Sequence, residues 1–275
     1  MKLSIIILTW NSGKHIKQCL SSVRENIQDI EAEIIVIDNG STDDSISILE
    51  NEFPEAILIR NNVNRGVAPA RNQGISKAVG EYIMILDIDT YMYSDTVKAM
   101  LAFMEENRRV GLCAPKLVFA DGTPQKSCRR FPLVHMKVLR RIDTNWAKDI
   151  LESENYTKQI AACDPFEVDY VIGACQLIRK SAVDKVGLLD DKIFYGPEDV
   201  DYCLRMWLNG YKVSFLPYVK IVHYEQRVTK SKILSKITIK HIAALIYFFC
   251  KYRYCFSRRK IYKKVEMAKN YELQR

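Results

Sequence analysis

The sequence predicts an α/β protein built on a single Rossmann-like, mostly parallel sheet flanked by helices. Three observations carry that expectation. Continuous apolar runs of strand length recur through the first third of the chain, segments with helical spacing separate them, and the runs stop at polar clusters rich in Asp and Asn.

Leu3 to Leu8 (LSIIIL) reads as a buried first strand, after which Ile16, Cys19, Leu20, Val23 and Ile27 return at helical intervals. Ile34 to Ile37 is a second strand, ending in Asp38-Asn39-Gly40-Ser41. A helix follows through Ile46 and Leu49, and Ala56 to Ile59 is a third strand. Pro69 suits the first turn of the next helix, which runs to about Val79. Tyr82 to Leu86 is the fourth strand and stops at Asp87-Ile88-Asp89. Right-handed crossovers would join these strands in parallel. Gly111 to Phe119 reads as a strand, and Asp121-Gly122 as a tight turn. No long period runs from Cys128 to Pro165; such a stretch serves either acceptor recognition or plain surface. Regularity returns over Val168 to Arg179, with a helix near Ser181 to Val186 and another beginning near Glu198.

Composition narrows the function. Of 275 residues 48% are hydrophobic, enough for a sizeable core. No stretch reaches the roughly 20 apolar residues that span a bilayer. The N-terminus does not read as a secretion signal, so a cytoplasmic protein is expected. The eight cysteines are scattered without a CxxC pair, which fits reduced thiols better than a zinc site. The net charge of +8 belongs to the tail: from Arg227 onward fourteen Lys or Arg face two acids, against 27 and 31 before it. The chain is therefore expected to divide into residues 1–226 and a basic helical tail, residues 227–275. Within the tail, Ile242 to Cys250 (IAALIYFFC) is apolar and flanked by Lys240, Lys251, Arg253 and Arg258. It reads as a helix on an anionic membrane surface, each basic residue contributing about 1 kcal/mol, or as a helix packed on the main domain. No nucleic-acid module accompanies the charge, so no nucleic-acid partner is expected.

In a wound α/β sheet, ligands collect beyond the carboxyl ends of the strands. Three such ends carry polar residues here: Thr9-Trp10-Asn11, Asp38-Asn39-Gly40-Ser41 and Asp87-Ile88-Asp89. Neither GxGxxG nor GxxxxGK[ST] occurs, which argues against a dinucleotide-dependent dehydrogenase and a P-loop NTPase. Asp87 and Asp89, two apart at a strand end, can project to one side and suit Mn²⁺ or Mg²⁺ shared with substrate phosphates. Two solvated loop acids are the alternative. In Tyr195-Gly196-Pro197-Glu198-Asp199-Val200-Asp201 the acids could favour a helix start, or one could act as a general base. Spacing alone does not choose.

Five segments taken together resemble family-two inverting glycosyltransferases of the GT-A fold. They are TWN (Thr9–Asn11), IVIDNGSTDDS (Ile35–Ser45), NRGVAPARNQGI (Asn64–Ile75), LDIDT (Leu86–Thr90) and YGPEDVDYCLRMWLNGYKV (Tyr195–Val213). PKLVFADGTPQKSCRRFP (Pro115–Pro132) looks most like the rhamnosyltransferase-type subgroup. The resemblance implies a nucleotide-sugar donor, UDP- or dTDP-linked, and a glycan or lipid-linked acceptor in cell-surface polysaccharide or glycolipid synthesis. It places Thr9, Asn11, Asp38, Arg71 and Asp87 at the nucleotide and Asp89 on the metal. Glu198 and Asp199 match the family's acidic pair, with Asp199 as base and Arg205 beside the cluster. His223 falls where some relatives hold a histidine near the metal; a structural histidine is its alternative. Lids over the donor are expected near Arg129 and beyond His223. An enzyme using lipid-linked acceptors would sit peripherally on the inner face of the cell membrane. A non-catalytic nucleotide-sugar-binding protein is the competing class, and retention of Asp38, Asp87, Asp89 and Asp199 together speaks against it. A nucleotidyltransferase would want a glycine-rich phosphate loop that LTWNSGKH (Leu8–His15) does not supply.

Overall fold

In the computed structural model, which describes residues 1–139, 144–224 and 236–273, the first half follows the strand–helix alternation. It runs β1 (Leu3–Thr9), α1 (Gly13–Asn26), β2 (Ala32–Asp38), α2 (Ser45–Glu52), β3 (Ile57–Arg60), α3 (Val67–Lys77) and β4 (Tyr82–Asp87). There follow β5 (Thr90–Met92), α4 (Thr96–Glu106), β6 (Val110–Val118), β7 (Cys128–Arg129), α5 (Val134–Leu139), α6 (Asn145–Glu152) and α7 (Thr157–Ala162). The remainder is β8 (Phe166–Glu167), β9 (Tyr170–Val171), β10 (Cys175–Arg179), α8 (Lys180–Val186), α9 (Glu198–Leu208), β11 (Lys212–His223), α10 (Lys236–Tyr252) and α11 (Arg259–Leu273).

Among the described residues a nine-stranded sheet has the order β3-β2-β1-β4-β10-β6-β11-β5, with β8 beside β11. β3, β2, β1 and β4 pair in parallel, as the alternation requires, and β6 and β11 are also parallel. β10 enters between β4 and β6 antiparallel to both, a reversal that hydrophobic periodicity does not reveal. Continuous apolar strands bury both faces: Ile6, Ile35, Ile37, Ile83 and Ile85 point into one core layer, and Ile5, Ile7, Val36, Met84 and Leu86 into the other.

The stretch without a long period contains three helices of six to eight residues, too short to display one. α4 and β11 were not anticipated, although Val97, Met100, Leu101 and Met104 recur at helical spacing and all are buried. β11 is interrupted by a register shift between Leu216 and Lys220, which breaks the period of two. Cys128–Arg129 pairs with β9, so the segment expected to close near Arg129 is tied into a second, two-stranded sheet. The segment beyond His223, and the expected division at residue 226, fall at residues 225–235, outside the described residues.

The tail helices pack on the main body. Phe248 is fully buried, and with Phe249, Tyr252, Tyr254, Ile261 and Val265 it joins the same core cluster as Tyr202, Trp207 and Phe131. On the other side of α10, Ile239, Ile242 and Ile246 are exposed. Among the described residues, no helix is long and apolar enough to cross a membrane.

Candidate active site

The register of the sheet brings the polar strand ends together. Thr9 lies opposite Asp38, and Leu8 lies opposite Asp87, so the carboxyl ends of β1, β2 and β4 form one edge. Asp38 is fully buried; its Oδ2 accepts from the backbone N–H groups of Gly40 at 3.2 Å and Ser41 at 3.1 Å. Its Oδ1, like Thr9 Oγ1, finds no partner among the described residues. A buried carboxylate oxygen left in this state is costly unless something else donates to it. The turn after Asp38 depends on Gly40, whose φ of 82° is left-handed and whose Cβ would meet Val63 backbone at 2.9 Å. Asn11 ties the neighbouring loop to this one, its Oδ1 accepting from Thr42 N–H at 2.8 Å. Together these bonds build a rigid cradle at the ends of β1 and β2.

One step along the edge, β4 delivers Asp87 and the turn into β5 delivers Asp89, while β11 ends on His223, paired with Thr90. Ligand atoms of Asp87, Asp89 and His223 all lie within 4.8 Å of one another. His223 Nε2 is 3.5 Å from Asp89 Oδ1. Two carboxylates and an imidazole so placed fit a divalent cation of the Mn²⁺ or Mg²⁺ class, with open positions for phosphate oxygens.

Arg71, on α3, does not face the cradle with an idle guanidinium. It is nearly fully buried and spans two groups of acids: Nη2 donates to Asp87 Oδ1 at 2.5 Å and to Gly173 O at 2.9 Å, and Nη1 lies 3.5 Å from Glu198 Oε1. A Cβ on Gly173 would stand 2.7 Å from Arg71 Nη1, so a glycine is what allows this approach. Glu198 and Asp199 open α9, whose first turn favours carboxylates. Burial, then the negative charge of Asp199, push Glu198 up to about 7 against the pull of Arg71. Burial likewise raises Asp199, while Val200 N–H, donating at 2.7 Å, opposes it. Burial thus pushes both adjacent carboxyls toward their protonated forms, and the charge of Asp199 adds to the rise of Glu198. Asp199 keeps part of its surface open, as a group that must meet a substrate requires.

Two supports were not visible in the sequence. Gln125 holds His223, its Oε1 lying 2.9 Å from Nδ1. The tail helix holds the loop that leads into Glu198: His241 Nδ1 donates to Gly196 O at 3.0 Å and Tyr195 O at 3.1 Å, and Lys240 Nζ sits 3.4 Å above the Phe194 ring. Asp201, the third acid of the cluster, is not part of the open site. It is fully buried, and Arg205 Nε (2.8 Å), Lys251 Nζ (2.6 Å) and Tyr252 Oη (2.8 Å) all donate to it. Arg205 thus lies beside the acidic cluster, as the resemblance implies, bonded to Asp201.

The model of glycosyl transferase family 2 matches residues 4–187. N-acetylglucosaminyl-diphospho-decaprenol L-rhamnosyltransferase of Mycobacterium tuberculosis is 22% identical over 89% of this chain and 83% of its own length. The poly-beta-1,6-N-acetyl-D-glucosamine synthase of Staphylococcus epidermidis is 27% identical over 78% of this chain, which spans only 48% of that protein. Among solved structures, the mannosyltransferase PcManGT of Pyrobaculum calidifontis, in complex with GDP-Man and Mn²⁺, superposes with a TM-score of 0.62 at 20% identity. That match covers 98% of this chain and 69% of the other. S. aureus TarS 1-349 with UDP-GlcNAc gives 0.59 at 19% identity, covering 98% and 71%. At these identities the structural matches establish the fold, GT-A.

Proposed function

The chain belongs to glycosyltransferase family 2, and from that premise we propose that it moves a sugar from a UDP- or dTDP-linked donor to an acceptor hydroxyl, inverting the anomeric configuration. The observation that carries this reading is the edge that brings together Thr9, Asn11 and Asp38, the Asp87–Asp89–His223 cluster and, across Arg71, the adjacent acids Glu198 and Asp199. Thr9, Asn11 and Asp38 would receive the nucleoside, with Asp38 Oδ1 accepting from the base and Asp87 approaching the ribose. Asp89 and His223 would hold Mn²⁺ or Mg²⁺, which when bound supplies positive charge against the diphosphate leaving group.

Asp199, in its ionised form, takes the acceptor proton, with Glu198 beside it facing Arg71. Arg71 steadies Asp87 and Glu198 at once and so fixes the distance between donor and acceptor ends of the site. Attack from the face opposite the diphosphate inverts the anomeric carbon, through an oxocarbenium-like transition state.

The relative from Mycobacterium tuberculosis is named for a lipid-linked acceptor, and a glycan or lipid-linked acceptor is proposed here in turn. The outward stripe of Ile239, Ile242 and Ile246 would then rest on the inner face of the membrane, helped by the basic tail. The test is nucleotide release from UDP-, dTDP- and GDP-sugars with Mn²⁺ or EDTA, beside Asp89→Ala. Release from one donor that needs the metal and is lost in the variant is the expected result. Folded protein that releases nothing from any donor, even with an acceptor extract, would favour the non-catalytic binder.

A further inference from the structure

The metal-facing histidine has two neutral forms, and only one can serve as a ligand through the nitrogen that faces Asp89. A neutral imidazole carries one hydrogen, either on Nδ1 or on Nε2, and the other nitrogen keeps the lone pair. Left alone beside Asp89, His223 has a reason to choose wrongly. An N–H on Nε2, 3.5 Å from Asp89 Oδ1, would point toward a carboxylate and occupy the electron pair that a cation needs.

Gln125 settles the choice by elimination. Its amide sits between three groups, two of which can only accept: Nε2 lies 2.7 Å from His223 O and 3.4 Å from Val118 O. The amide nitrogen must face those carbonyls, so Oε1 is turned to His223 Nδ1 at 2.9 Å. A carbonyl oxygen can only accept, so Nδ1 must donate. Nothing in this arrangement is loose. Both side chains are buried, and the backbone of Gln125 donates to Leu117 O at 2.9 Å, fixing it against the end of β6.

We propose that Gln125 is a positioning residue that locks His223 in the Nδ1–H form and thereby presents Nε2, beside Asp89, to a divalent cation. The lock rests on the metal reading above. It recruits a residue from the loop after β6, 98 positions away from the histidine it controls. A hydrogen-bond partner on the remote nitrogen of a metal-binding histidine both fixes its orientation and raises its basicity.

The test begins without any variant. Protein labelled with ¹⁵N-histidine holds four imidazoles, His15, His135, His223 and His241, and loss of one signal in His223→Gln identifies the one of interest. At about pH 8, above the ordinary imidazole range, long-range proton–nitrogen correlation should show His223 as the Nδ1–H form. Gln125→Leu should move it toward Nε2–H and weaken Mn²⁺ binding about 10–100-fold, measured with the metal alone by the EPR signal of unbound Mn²⁺. A wild-type His223 in the Nε2–H form overturns the proposal, as does Gln125→Leu with unchanged tautomer and affinity. A wild type in the Nδ1–H form that takes up no Mn²⁺ overturns instead the metal reading beneath it.

Discussion

Replacing Lys251 by Met should unsettle, from behind, the helix that carries Glu198 and Asp199. Lys251 Nζ bridges Asp201 at 2.6 Å and Asp190 at 2.7 Å, and the Asp201 side chain is wholly sequestered from solvent. Breaking a buried ion pair by removing one partner costs about 3–5 kcal/mol when nothing else compensates. Here Arg205 and Tyr252 still donate to Asp201, and the Lys251 side chain is 26% exposed. The expected loss is therefore smaller, about 2–3 kcal/mol, which in a chain of this length lowers Tm by roughly 5–10 °C. Urea denaturation should show the loss in the midpoint at constant slope. Tyr252→Phe, losing one hydrogen bond to the same carboxylate, should cost about 1–2 kcal/mol, and the double variant should depart from additivity because both act on Asp201. Because Asp201 follows Asp199 by two residues on α9, kcat should fall as well. A Lys251→Met protein within about 0.5 kcal/mol of wild type would refute the view that the tail anchors this helix.

The remaining expectations concern the site. With Glu198 raised to about 7 from an ordinary 4.5, the folded protein binds this proton more tightly than the unfolded chain does. Stability should therefore fall as pH rises from about 4.5 to about 7, and kcat/KM should climb to a plateau above about 7 as the pair ionises; a profile flat from pH 5 upward would sink the acid-pair assignment. Asp199→Asn should lower kcat by about 10²–10⁴-fold with little change in donor KM, measured by steady-state nucleotide release. Arg71→Met removes a cation from two acids, so the ascending limb of the pH profile should move to higher pH; an unmoved limb would disprove the coupling. Ile242→Glu with Ile246→Glu should weaken flotation with anionic vesicles while leaving the thermal melt within a few degrees of wild type, since both side chains are exposed. Undiminished flotation would remove this face from the membrane.

The strand ends could be read from the sequence because buried parallel strands are unbroken apolar runs, and the residues that terminate them stand out. Thr9, Asp38, Asp87 and Asp89 belong to that class, and Glu198 and Asp199 were visible as the start of a helix. What joins them was not. Arg71 meets Glu198 across 127 residues and His223 meets Gln125 across 98, and neither separation leaves a local pattern. The tail shows the same divide. IAALIYFFC was recognisable as helical and apolar, whereas the face of it that turns inward is fixed by Asp190 and Asp201, far upstream.

On the function proposed above, Arg71 would also make donor and acceptor chemistry thermodynamically reciprocal. Its guanidinium is the common counter-ion of Asp87 and Glu198, so a ligand that draws Asp87 away changes how strongly the cation is felt by Glu198. Whatever binds at the end of β4 must then shift the proton affinity of the acid pair, and the proton must shift the affinity of that ligand by the same factor. Donor affinity measured across pH would thus carry the imprint of a carboxyl on the far side of the arginine.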